Sequence, residues 1–89
     1  IPSKFEIINL YPNPFNPQIN IEYNLPTTSN VRVSIYNVKG QEVDILVDSI
    51  QHTGFYSLTW SASVQNSGIY FVQITADTDI INRKIMYLK

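Results

Sequence analysis

The chain has one histidine, His52, set in a polar stretch beside Gly54, and no cysteine to join it. A general base needs a positioned partner and a substrate-sized hollow, and a lone loop histidine is expected to be solvated surface. Glu6, Glu22, Glu42, Asp44 and Asp48 stand on the polar sides of apolar runs or at their ends. Paired-carboxylate catalysis would need two of them in a concave, partly desolvated site. Asp77-Thr78-Asp79 offers two carboxylates, short of the roughly six to eight oxygens that Ca²⁺ prefers, and aspartate is common in turns because it bonds nearby backbone. The chain contains no glycine-rich phosphate loop and no His-Glu-x-x-His. Trp60 and Tyr56 have the chemistry of a sugar platform, but they alternate in phase with Leu58 and Ala62, which places them on a core face. The expectation is a non-catalytic module with no catalytic residue, no cofactor and no metal site.

Composition narrows the partners. The chain has 89 residues, enough for one domain and too few for two. Without cysteine, its core must come from the 44% hydrophobic content, including six Tyr, four Phe and one Trp. A net charge of −1, with Arg83-Lys84 the only short basic pair, gives nucleic-acid binding little electrostatic support. The longest apolar run, Ile69-Tyr70-Phe71-Val72, falls far short of the roughly 18 residues of a transmembrane helix. No signal peptide is visible, and a start at Ile1 rather than Met suggests a piece of a longer protein.

The elements that would carry these residues read as strands, because period-2 alternation dominates. In Gln18 to Leu25, Ile19, Ile21, Tyr23 and Leu25 face one way and the polar residues the other. Val31 to Tyr36 alternates likewise, turns through Asn37-Val38-Lys39-Gly40 and returns from Gln41 to Val47, with Val43, Ile45 and Val47 expected on one side. Asp48 to Gly54 reads as a connecting stretch. Further strands are expected at Phe55 to Ala62, Ile69 to Ala76 and Ile80 to Leu88, and an early one at Phe5 to Leu10. Both faces of the last are mixed, so alternation does not assign its inward side. Three prolines, Pro12, Pro14 and Pro17, impose extended, turn-rich backbone that could blunt a sheet edge. About seven short antiparallel strands suit an all-β, immunoglobulin-like β-sandwich of two sheets.

Three segments in order carry a resemblance. They are Leu10-Tyr11-Pro12-Asn13-Pro14-Phe15-Asn16-Pro17, Ser67-Gly68-Ile69-Tyr70-Phe71 and the terminal Arg83-to-Lys89, with Ile35-to-Val43 lying between the first two. Together they resemble the C-terminal sorting domains of type IX (Por) secretion over nearly the whole chain. Immunoglobulin-like repeats of flagellar hook-capping proteins share the Ile-Tyr-Asn-x-x-Gly-x-x-Val pattern, but they carry Trp-Asp-Gly where this chain has Trp60-Ser61-Ala62. The resemblance implies a folded tag covalently attached to an N-terminal cargo in Bacteroidetes and related bacteria. It implies recognition by the outer-membrane translocon, removal by a sorting protease, and delivery through the periplasm to the cell surface or medium. Residues 1–89 would then be a single C-terminal sorting domain, with Pro12, Asn13, Pro14, Gly68, Tyr70, Lys84 and Lys89 as the sorting-motif candidates. A structural or carbohydrate-binding accessory module of a secreted enzyme is the alternative. No long hydrophobic stripe is visible, so a monomer is expected.

Overall fold

The alternation of Gln18 to Leu25 becomes a strand with one side in the core: Ile19, Ile21, Tyr23 and Leu25 are all fully buried. In the computed structural model, which describes residues 3–89, seven strands follow one another. They are β1 (Glu6–Tyr11), β2 (Gln18–Leu25), β3 (Ser29–Asn37), β4 (Glu42–Gln51), β5 (Gly54–Ser61), β6 (Gly68–Ala76) and β7 (Asp79–Tyr87). One sheet has the order β1-β2-β5 and the other β4-β3-β6-β7, and every pairing between these strands is antiparallel. The fold is therefore an all-β sandwich. Side chains from β2 and β5 meet those from β3, β6 and β7 between the sheets.

Turn chemistry sets the registers. Between β3 and β4, the Asn37 side-chain oxygen accepts hydrogen bonds from the backbone N–H groups of Lys39 and Gln41, each at 3.0 Å. Gly40 closes this turn at φ +80°, a conformation that side chains with a Cβ rarely adopt. Between β6 and β7, Asp77 takes the left-handed position at φ 54°, and its carboxylate accepts the Asn30 N–H at 3.0 Å. That places Asp77 in the turn role expected for it.

The return strand β4 departs from the expected pattern. It runs on to Gln51, because the polar stretch after Val47 keeps pairing with β3 as far as Ser29↔Gln51. It also breaks alternation twice. Its register shifts between Val33 and Ser34 and again between Ile35 and Tyr36, which leaves Leu46 and Val43 as the extra residues. Each bulge reverses the phase of the strand beyond it. As a result Val43, Leu46 and Val47 pack on the core, while Ile45 turns outward and is 44% exposed. The expectation of Val43, Ile45 and Val47 on one side is corrected accordingly. The last strand, whose inward face alternation left open, buries Ile85 and Tyr87 and leaves Ile80, Met86 and Leu88 outside.

Tyr23 ties the sheets together near the far end of β2. Its ring stacks on Tyr56 at 5.3 Å, and its hydroxyl donates to the Gln51 side chain on the opposite sheet. Burial pushes the phenol pKa up to about 12, against an ordinary value of 10.0. The folded state therefore holds this proton more tightly than the unfolded chain does. Its contribution is complete below about pH 10 and is lost as pH rises toward about 12, costing on the order of 2 kcal/mol. Urea unfolding between pH 9 and 12 should show this alkaline loss, and Tyr23→Phe should flatten that limb.

Candidate functional site

The three motif segments, far apart in sequence, meet at one end of the sandwich. The proline-rich segment between β1 and β2 lies alongside the end of β7 and forms a short parallel bridge, Phe15↔Tyr87. The Phe15 N–H donates to the Met86 carbonyl at 2.9 Å, and the Leu88 N–H donates to the Phe15 carbonyl at 3.0 Å. Asn13 extends this ladder with its side chain. Its amide oxygen accepts the Met86 N–H at 3.1 Å and its amide nitrogen donates to the Lys84 carbonyl at 3.4 Å. One asparagine thus supplies a donor and an acceptor to the strand edge, as a backbone unit would.

Beneath this edge sits an aromatic cluster to which each segment contributes one ring. Phe15 stacks on Tyr87 at 5.2 Å and tilts against Trp60 at 5.8 Å. Tyr70 meets Trp60 edge-on at 5.5 Å, and its hydroxyl donates to the Asn66 carbonyl at 2.6 Å. The Trp60 indole N–H donates to the Asp44 carboxylate at 3.0 Å, reaching from β5 to the bulged β4. Trp60 is only 2% exposed, so it is a core residue with its polar atom satisfied, and it presents no face to a sugar.

The sorting-motif candidates divide into two kinds. Tyr70 is buried, and Gly68, at φ +151°, opens β6 opposite Tyr87 in a conformation that favours glycine. Both shape the fold. Pro12, Asn13, Pro14, Lys84 and Lys89 are exposed. The terminal Lys89 donates its backbone N–H to the Ser67 hydroxyl at 3.0 Å, which ties the last segment to the loop before Gly68. Sequence reasoning missed Phe15 as the keystone. The available signal was a single large apolar residue inside a run of prolines and asparagines.

Chemistry is not concentrated here. His52 is exposed, with its ring near the Thr28 hydroxyl at 3.5 Å. Among the described residues, no three His, Asp or Glu side chains gather where they could hold a metal ion. The one ion pair among them, Arg32–Glu42 at 2.9 Å, lies on the outer sheet face, where the guanidinium hydrogen bond holds the Glu42 carboxyl below its usual range. Among the described residues, no helix is long and apolar enough to cross a membrane.

The motif segments of this small β-sandwich thus converge on one sheet edge. A family model described as the secretion system C-terminal sorting domain matches residues 9–88, and the chain belongs to that family, the sorting domains of type IX secretion. The family is a non-catalytic signal. No significant match emerged among curated proteins or among solved structures.

The clamp that Asn13 and Phe15 form on the end of β7 makes two energetic predictions. Phe15→Ala should lower unfolding stability by about 3–5 kcal/mol through lost burial and a cavity between Trp60 and Tyr87. Asn13→Ala should cost only about 1 kcal/mol. Urea titration followed by Trp60 fluorescence measures both.

Proposed function

We propose that this domain directs a covalently attached N-terminal cargo through the type IX outer-membrane translocon to the cell surface or medium, and that it is read in its folded state. The observation that carries this reading is the family match over residues 9–88. The convergence of the three segments on one end supports it further, because such a surface exists only after folding. In this reading Pro12, Asn13, Pro14, Lys84 and Lys89 form the recognised surface, and Gly68 and Tyr70 hold it in shape. Residues 1–89 act as one sorting unit, and a sorting protease acts upstream of the fold.

The edge of β7 offers a physical route to recognition. Asn13 and Phe15 occupy its outward backbone groups from the Lys84 carbonyl to Leu88. From Ile80 to the Lys84 N–H, the same edge has no paired strand among the described residues. An extended segment of a receptor could add there, gaining main-chain hydrogen bonds.

The test is a fusion of residues 1–89 to a reporter carrying a secretory signal, expressed in a bacterium that has the type IX apparatus. Surface or medium delivery is expected, and removal of Tyr87-Leu88-Lys89 should abolish it. Lys84→Glu leaves the core untouched, so it should reduce delivery without lowering thermal stability. Retention of the intact fusion in the periplasm would sink the proposal.

A further inference from the structure

Away from the clamp, the outer face of the four-stranded sheet holds a shallow groove of about 260 Å³. Its floor is Tyr36 on β3 and Phe71 on β6, which lie directly opposite each other across the two strands. One step along the sheet, Gln73 on β6 and Asn82 on β7 form the next pair. The β3–β4 turn closes one end through Val38 and Gly40.

Three features set what this groove can take. Its floor is two neighbouring aromatic rings, both half-buried and so still open to a ligand on one side. The Tyr36 hydroxyl donates to Glu42 at 3.3 Å, and Glu42 in turn accepts two hydrogen bonds from Arg32 at 2.9 and 3.0 Å. That network pins the Tyr36 ring and neutralises the nearest charges against each other. The side-chain amides of Gln73 and Asn82 join no hydrogen bond among the described residues and are not enclosed. They offer paired donors and acceptors beside the rings. Lys84, opposite Phe71 on β7, lies outside the lining, and no lining residue carries a formal charge at neutral pH.

Flat apolar rings flanked by unpaired amides, with no lining charge, complement a ligand with an apolar C–H face and a rim of hydroxyl groups. We propose that this groove binds a short neutral oligosaccharide, with one pyranose ring stacked over Tyr36 and Phe71 and its hydroxyls bonded by Gln73 and Asn82. This site is separate from the Trp60 cluster and shares no residue with the Asn13–Phe15 clamp, while Tyr36, Val38, Gly40 and Phe71 belong to the stretches that carry the family resemblance.

The test uses the purified domain with three probes, the neutral β-linked hexaoses of glucose, xylose and mannose, and a uronic-acid hexaose as the charged comparison. Backbone amide NMR shifts are followed during each titration. The expected result is binding of at least one neutral hexaose tighter than about 1 mM, with shifts centred on Tyr36, Phe71, Gln73 and Asn82. Phe71→Ala and Gln73→Ala should each weaken it by roughly tenfold or more. Phe55→Ala, an exposed aromatic on the other sheet, should leave it unchanged. Thermal unfolding checks that the variants fold, and Gln73→Ala keeps the test sharp if Phe71→Ala does not. Absence of binding by all three neutral probes would overturn the proposal, as would tighter binding of the uronic-acid hexaose or full affinity in Gln73→Ala.

Discussion

The insertion of Phe15 between Tyr87 and Trp60 is the contact on which one whole end of the sandwich depends. Two stacked sheets leave their ends open, and here the gap lies between the last residues of β5 and β7 and the start of β6. A single ring from a loop fills it, and the loop backbone then bonds the edge of β7 through Phe15 on both sides. Pro12, Pro14 and Pro17 restrict the segment before folding, so less chain entropy is lost when it docks. Burial of the ring and pairing of the edge reinforce each other, because Phe15 supplies both.

That arrangement gives the motif segments two separable jobs. Phe15, Tyr70 and Tyr87 face inward and build the cluster around Trp60. Pro12, Asn13, Pro14, Lys84 and Lys89 remain at the surface the cluster supports. A signal built this way is absent from the unfolded chain, where its parts are tens of residues apart. Reading such a surface would report that the domain has folded, which suits export of folded cargo in the proposed role.

Much of this was legible from residue order. The alternation of β2, β5 and β6 gave their buried faces directly, because each follows period 2 without interruption. The burial of Trp60 followed from its phase with Leu58 and Ala62. What local pattern could not supply was information held by a partner strand. The bulges at Val43 and Leu46 are defined only by the residues opposite them on β3, so the outward turn of Ile45 was invisible. The inward side of β7 is likewise decided by its register with β6 and by Phe15, since Ile80, Met86 and Leu88 are as apolar as the residues they flank. The motif residues were visible as separate segments, but their meeting at one edge was not, because that depends on the sandwich bringing residues 13 and 86 together.

The clamp is tested most directly by amide hydrogen exchange at Met86 and Leu88, whose N–H groups are held by Asn13 and Phe15 rather than by a neighbouring strand. Both should exchange slowly in the intact domain, with protection approaching that of β3 and β6, and Asn13→Ala should release Met86 while sparing the core strands. Fast exchange at Met86 and Leu88 in the intact domain, with β3 and β6 still protected, would contradict the account. The proline-rich segment would then be lying near the terminal strand without holding it.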